Sequence, residues 1–394
     1  MAGDVVSDEK VTLVMEREAE GVRAALMENQ KVVSFYFQSD SRDIRVGDLY
    51  LGKVLGNRLS QVGWFMDLGN GRSGFLPSHK SVSDCAPQAG ELRLVQVDKE
   101  ARDHKEAELT EHVQITGKSI VFLPKSAYVA VSKRIAEGRG ERLKTKVSGW
   151  CSAGEGAIIR TYAEDQDVDA LYKEFSRLKK IWNSMRQQAE CETSPKRILR
   201  PFSFISAILN ENHFPSTCSI VANFDLNEDE LPEHTDIRIK NNENPFIALH
   251  LEPIYQAALH PFVPLESGAS LAIEYTETLT AIDVNSGSML FQNNWEATAY
   301  KINCIAAREI ARQLRLRQIG GMIVIDFLRM EEESDRNRLL LELENSTKTD
   351  PNAVHVYGYS HLGLVEITRK RQRYGLRDRA VDRLKKIKDS LTDE

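Results

Sequence analysis

Between residues 279 and 327 the chain reads as an apolar strand, a long amphipathic helix and a second apolar strand, the order of a βαβ unit. The strands are Leu279–Val284 and Met322–Phe327, the second read as fully buried. The helix spans Glu296–Arg317, with Ile302, Ile305, Ala306, Ile310 and Leu314 on one face. Asn293 stands as its N-cap, Glu296 takes the capping-box position, and Gly320-Gly321 ends it. A helical crossover forces the two strands parallel and close together. Each carries an aspartate near its carboxyl end, Asp283 and Asp326, where open α/β sheets bind ligands. Asn285 lies two residues past Asp283 and shares its face if the strand continues. Both aspartates interrupt apolar runs, although the residue is depleted in strands. Two readings stay open: each caps a strand end, or the pair binds a ligand.

Two carboxylates and an amide, without histidine or cysteine, form a hard oxygen site suited to Mg²⁺, with Mn²⁺ as the substitute. A cation there can activate water and neutralise charge on a phosphodiester.

A length of 394 residues is too great for one core, so several modules are expected. No apolar run approaches the roughly 18 residues of a membrane span. The acidic start, MAGDVVSDEK, has neither a signal-peptide nor a transit-peptide pattern, which predicts a cytoplasmic protein without membrane partners. Five scattered cysteines form no CxxC pair, so neither zinc nor disulfides are expected. The net charge of −6 counts against bulk attraction to nucleic acid and leaves local patches to decide. Lys118–Arg200 is one such stretch, and it includes Lys133, Arg134 and Arg160. Another runs through Arg369, Lys370, Arg371, Arg373, Arg377, Arg379, Lys385 and Lys386. Solvated charged helices are the alternative for both.

Residues 45–100 read as strands Tyr50–Leu55, Trp64–Leu68 and Leu92–Val97, with turns at Asn57 and Gly69-Asn70-Gly71. Short strands with glycine turns suggest a small barrel of the OB type. In it Phe65 and Phe75 are either base-stacking platforms or core residues. Residues 117–165 read as strands Ser119–Leu123, Tyr128–Val131 and Ala157–Arg160, punctuated by Gly138, Gly140, Gly149, Gly154 and Gly156. A helix follows, with Val168, Leu171, Phe175, Leu178 and Trp182 at helical spacing, and Pro195 and Pro201 bracket a boundary. Asn227–Glu233 reads as a solvated loop. Further elements are a strand at Ser270–Tyr275, a charged helix at Glu331–Glu344, and strands at Val354–Tyr357 and Leu364–Thr368.

Three segments, Leu279-Thr-Ala-Ile-Asp-Val-Asn-Ser-Gly287, Ala307-Arg-Glu-Ile-Ala-Arg-Gln-Leu-Arg-Leu-Arg317 and Gly320-Gly-Met-Ile-Val-Ile-Asp-Phe327, resemble the catalytic core of the RNase E/G family in order and spacing. The resemblance implies that Asp283 and Asp326 bind catalytic Mg²⁺ and that Asn285 positions the site, in a DNase I-like α/β subdomain at 263–394. Gly74-Phe-Leu-Pro77 and Val97-Asp-Lys-Glu-Ala-Arg102 resemble the family's S1-type OB-fold RNA-binding domain, here 43–116, with Phe65, Phe75 and Lys105 on its RNA surface. Val131-Ser-Lys-Arg-Ile135 and Ile158-Ile-Arg-Thr161 resemble the sensor of a 5′-monophosphate, a region of 117–204. Arg160 and Thr161 then grip the phosphate, and Lys133 and Arg134 contact RNA. An RNase H-like subdomain, split between 1–42 and 205–262, completes the implied architecture. Gly363-Leu-Val-Glu-Ile-Thr-Arg-Lys-Arg371 matches the end of the catalytic region.

The chain departs from the family pattern in three places. Ser286-Gly-Ser288-Met289 stands where an arginine usually follows the Asn-Ser pair. Tyr162 stands where a small residue follows the sensor threonine. The CPxC zinc link expected after Arg371 is missing, so any homodimer is expected to form without zinc. The long scaffold of full RNase E is also missing, which gives an RNase G-like layout. The implied activity is Mg²⁺-dependent endonucleolytic cleavage of single-stranded RNA in rRNA processing and mRNA decay, favouring 5′-monophosphorylated ends and leaving 5′-phosphate and 3′-hydroxyl products. The alternatives are an RNA-binding protein that kept the fold and lost its rate, and a metal-dependent phosphatase.

Overall fold

A computed structural model describes residues 11–39, 44–56, 62–82, 86–101, 105–200, 203–212, 217–226, 236–266, 268–276, 278–287, 295–371 and 375–376. The readings at Asn57, Pro201, Asn227–Glu233, Ser288, Met289 and Asn293, and those at Arg373 and Arg377 to Lys386, lie outside these residues. The chain divides into two compact units, Asp43–His213 and the combination of Met1–Arg42 with Phe214–Glu394.

The discontinuous unit begins with a meander of β1 (Val11–Glu18), β2 (Gly21–Glu28) and β3 (Lys31–Ser39). Asn29 and Gln30 join the last two strands with φ of 49° and 63°. Positive φ at both turn residues gives the twist that a two-residue hairpin needs.

The Asp43–His213 unit opens with β4 (Leu49–Gly56), β5 (Gly63–Gly69), β6 (Arg72–Pro77), β7 (Leu92–Lys99) and β8 (Ala107–Thr110). Pairing runs β4-β5-β6-β8-β7 and returns from β7 to β4, closing a five-stranded barrel. Alternation sends Tyr50, Val54, Trp64, Met66, Leu76, Val95, Val97 and Leu109 inward. Gly69, Asn70 and Gly71 all have positive φ, the conformation a β5–β6 turn of this tightness requires.

The unit continues with β9 (Ile115–Thr116), β10 (Ile120–Leu123), β11 (Val129–Val131), α1 (Glu137–Ser148), β12 (Gly156–Ile159), α2 (Val168–Glu190), β13 (Lys196–Leu199) and α3 (Phe204–Glu211). β11-β12-β10-β9 form a second sheet, and β13 pairs with β4. α2 is N-capped by Asp167, whose side chain accepts from the Ala170 amide, and buries Leu171, Phe175, Leu178, Trp182 and Met185. Helix α1 corrects the strand-and-turn reading of its segment. Glycine disfavours helix by about 1 kcal/mol, but Gly140 lets the helix press close: a Cβ there would lie 3.3 Å from Val131 Cγ1. Buried Leu143 and Val147 hold the same face.

Back in the discontinuous unit come β14 (Thr217–Ala222), β15 (Asp236–Asn241), α4 (Pro245–Ala248) and α5 (Glu252–Leu259). The first sheet is ordered β15-β14-β1-β2-β3, with β14 parallel to β1 and β15 parallel to β14. Phe35, Phe246 and Tyr255 pack on it as an aromatic cluster.

The last sheet is built from β16 (Phe262–Pro264), β17 (Ser270–Tyr275), β18 (Leu279–Asn285), β19 (Gly321–Asp326), β20 (Val354–Tyr359) and β21 (Val365–Arg369), in the order β16-β17-β18-β19-β21-β20. α6 (Trp295–Leu316) connects β18 to β19, which pair in parallel, and α7 (Glu333–Thr347) follows β19. Ile302, Ala306, Ile310 and Leu314 of α6 bury against Ile282, Val284, Ile323 and Ile325. Each fully buried aliphatic side chain contributes about 1.5–3 kcal/mol.

Two expectations change here. β19 was expected to be buried on both faces, yet Met322 is 54% exposed and Asp326 is exposed. The sheet is mixed, and alternation with one solvated face fits it better than a wholly parallel sheet. Arg369, counted with the basic end, is only 2% exposed. It forks onto Asp350, Nε to Oδ2 at 2.8 Å and Nη2 to Oδ1 at 3.0 Å. The described helices include none long and apolar enough to cross a membrane.

Candidate active site and RNA-binding surfaces

The parallel ladder between β18 and β19 ends with Asp283 opposite Asp326. Neighbouring strands lie about 4.8 Å apart, so the two carboxylates leave the sheet side by side. Both are exposed, on the face opposite the buried Ile282, Val284 and Ile325. β18 continues through Asn285, which is exposed on that same face and opposite Ser270 of β17. The three residues therefore share one rim. Among the described residues neither aspartate takes part in an ion pair, and no third His, Cys, Asp or Glu joins them.

Two adjacent exposed carboxylates repel each other, and a divalent cation relieves that repulsion. Few protein ligands and open access also suit Mg²⁺, which keeps much of its water. The donor set thus fits a hydrated magnesium ion held by Asp283 and Asp326.

The rim is supported from α6. Asn303 is fully buried; its Nδ2 donates to Leu328 O at 2.8 Å and its Oδ1 accepts from Leu328 N at 3.0 Å. This pair of bonds holds the chain just after Asp326. The Glu296 carboxylate accepts from the Glu331 and Glu332 amides at 2.8 and 3.1 Å, where α7 begins. Glu296 therefore serves the start of the following helix, a role the capping-box reading did not anticipate. Asn303 could have been noticed as a polar residue inside the apolar stripe of α6. At the exit of β18, Gly287 has φ +59°, and a Cβ there would lie 2.4 Å from Gly268 O. Only glycine fits this turn.

On the barrel, Phe65 and Phe75 are directly opposed across β5 and β6, with ring centroids 5.2 Å apart. Their neighbours Trp64, Met66 and Leu76 fill the interior, so the two rings face outward, and Phe65 is 39% exposed. Phe75 is half-buried beside it, so both rings lie on the outer side of the barrel wall. Lys105 is exposed two residues before β8, the strand that pairs with β6. Glu108, opposite Phe75, is bonded by Lys80 and Lys99. Burial acts to raise its pKa, but the two lysines outweigh this and hold it below the ordinary carboxylate range. Bases stack on such rings for about 1–3 kcal/mol each. Phe65→Ala or Phe75→Ala is accordingly expected to weaken single-stranded RNA binding about tenfold. Anisotropy with a labelled oligonucleotide checks this, and unchanged affinity in both variants would remove the platform.

At the sensor-like junction, Arg160 follows β12 and Thr161 follows Arg160. Arg160 Nη1 donates to Gly117 O at 2.8 Å, and its amide donates to Ser119 O at 2.8 Å. Burial lowers the Arg160 pKa, with nearby Glu174 pulling the other way; a guanidinium stays charged throughout. Thr161 Oγ1 lies 2.9 Å from Ser132 Oγ, a partner the sequence reading did not single out. Lys133 and Arg134 follow Ser132 and are exposed.

Residues 114–372 match the Ribonuclease E/G family. The chain is 31% identical to "Ribonuclease G" of Haemophilus influenzae, over 93% of this chain and 80% of that protein. It is 31% identical to "Ribonuclease G" of Escherichia coli K12, over 89% of this chain and 78% of that protein. To "Ribonuclease E" of a Synechocystis species it is 33% identical, over 83% of this chain and 52% of that protein. A family match over most of the length, joined to relatives above 30% identity, establishes that this chain belongs to the ribonuclease E/G family.

Proposed function

We propose that this protein is a magnesium-dependent endoribonuclease that cuts single-stranded RNA internally, leaving 5′-phosphate and 3′-hydroxyl ends. The observation that carries the reading is the register pairing of Asp283 with Asp326 on an open rim, in a chain of this family. When bound, Mg²⁺ supplies an activated water and charge neutralisation at the phosphodiester. Asp283 and Asp326 hold the cation, and Asn285 offers an amide to orient a phosphate oxygen or a water. Phe65 and Phe75 hold unpaired bases, with Lys105, Lys133 and Arg134 on the backbone. Arg160 and Thr161 take a 5′-terminal monophosphate, which offers more charge and more free oxygens than an internal linkage.

The reading extends to architecture. A meander followed by two parallel strands, in the order β15-β14-β1-β2-β3, supports an RNase H-like subdomain. The last sheet with α6 and α7 is read as DNase I-like, and the barrel as S1-type. Processing of rRNA and decay of mRNA in the cytoplasm are the proposed settings.

A circular single-stranded RNA tests the activity, because only an internal cut can open it. Linear product is expected with Mg²⁺. Bound but intact circles would favour the alternative, a binding protein slowed by its altered loop after Asn285. A matched linear RNA with a 5′-monophosphate is expected to be cut about tenfold faster than its 5′-hydroxyl form, the size of one charged hydrogen bond. Arg160→Ala should bring that ratio near one. A wild-type ratio near one would remove end sensing from the account.

A further inference from the structure

The segments 117–119 and 160–162 are tied together at several points. Arg160 reaches across to Gly117 O, and the Arg160 amide bonds Ser119 O. In the opposite direction Lys118 reaches back to Tyr162, its Nζ 4.0 Å from the ring centroid. The junction closes this tightly because residue 117 is glycine: a Cβ there would lie 2.1 Å from Glu174 Oε1. Glu174 accepts from the Ser119 amide at 3.0 Å.

The charges at this junction do not cancel. Arg160 feels the opposite charge of Glu174, and one of its guanidinium nitrogens is bonded to a carbonyl. Lys118 has no ion pair among the described residues and is only partly buried. Its ammonium rests instead on the π face of Tyr162, which attracts a cation but leaves its N–H groups available. Lys118 is therefore one of the cations near Thr161, with Lys133 and Arg134 following Ser132 on the other side. Tyr162 is the residue that departs from the family pattern, and here it gives Lys118 a fixed seat.

We propose that Lys118, seated on Tyr162, is a specificity-determining cation of the terminal-phosphate site and supplies the charge by which this chain prefers a 5′-phosphorylated RNA end. This rests on the reading of Arg160 and Thr161 as the phosphate grip. A 5′-monophosphate carries close to two negative charges at neutral pH, whereas a 5′-hydroxyl carries none, so one uncompensated ammonium discriminates between them. Arg160 positions and hydrogen-bonds; Lys118 adds net attraction.

Binding tests this without catalysis. Short single-stranded RNAs labelled at the 3′ end, with either a 5′-monophosphate or a 5′-hydroxyl, are titrated with full-length protein in chelator, and the ratio of the two affinities is read by anisotropy. Wild type is expected to favour the monophosphate about tenfold or more, as one charged hydrogen bond allows. Lys118→Gln should bring the ratio near one, and Lys118→Arg should keep most of it. Tyr162→Phe retains the ring and should retain the ratio. Tyr162→Ala frees the lysine and should cost about two- to fivefold. Lys118→Arg keeps the charge and Tyr162→Phe keeps the ring, so a ratio retained in both separates loss of the charge from loss of fold. If Arg160→Ala abolishes the ratio while Lys118→Gln keeps it, the role of Lys118 is overturned and the phosphate grip stands. If wild type itself shows no preference, the grip fails and this inference fails with it.

Discussion

Asp283→Asn and Asp326→Asn are each expected to lower the rate of RNA cleavage about a thousandfold or more while leaving RNA affinity within about twofold. Each substitution keeps the shape of the side chain and removes one of the two negative charges on the rim. A metal site worth several kcal/mol of transition-state stabilisation loses most of it when one of two anionic ligands becomes neutral. Affinity is expected to survive because the stacking rings of β5 and β6 belong to the other compact unit. Single-turnover cleavage and anisotropy on the same oligonucleotide separate the two effects. A variant that cuts at the wild-type rate would remove that aspartate from the site, and one that loses binding and cleavage equally would point to damaged structure.

The largest effect on stability is expected from Asp350→Ala. The Arg369 and Asp350 side chains are 1% and 4% exposed, and their two hydrogen bonds form a fork. Arg369 Nη1 also donates to Ile319 O at 2.9 Å, just ahead of β19, so the pair anchors the strand that carries Asp326. Removing the carboxylate strands a guanidinium inside the protein, which costs about 3–5 kcal/mol. Urea titration should show a lower midpoint with a similar slope. Replacing both partners by apolar residues, Asp350→Leu with Arg369→Met, should recover part of the loss, since no charge is then left buried. A single variant as stable as wild type would show that the pair is solvated in solution.

The sheet that carries Asp283 and Asp326 was legible where periodicity and chemistry coincide. Alternation along Leu279–Asn285, the apolar stripe of α6 and the second run ending at Asp326 together fix two parallel strands and one rim. The barrel was legible from its strand spacing and its glycine turn, but the orientation of Phe65 and Phe75 needed the register of β5 with β6. Helix α1 was hidden by Gly138 and Gly140; the low propensity of Gly140 is offset by its close packing on Val131 and Ile135. Arg369 looked like surface charge because its partner, Asp350, stands in a loop with no pattern of its own. Lys118 and Tyr162 lie far apart in sequence, and neither residue type announces a cation–π contact. Local signals placed elements and the two aspartates, whereas long-range polar pairing could not be read before the fold.

The central claim is that Asp283 and Asp326 together hold the magnesium ion that cuts RNA. Its most direct measurement is the initial rate of cleavage of a labelled single strand as Mg²⁺ is added back to chelator-treated protein, for wild type and for Asp326→Glu. The account predicts no cleavage in chelator and a saturable return with Mg²⁺ in wild type. For Asp326→Glu it predicts a curve shifted to higher Mg²⁺, because the longer side chain still carries the charge but misplaces it. Cleavage that persists in chelator, or identical Mg²⁺ curves for the two proteins, would contradict it.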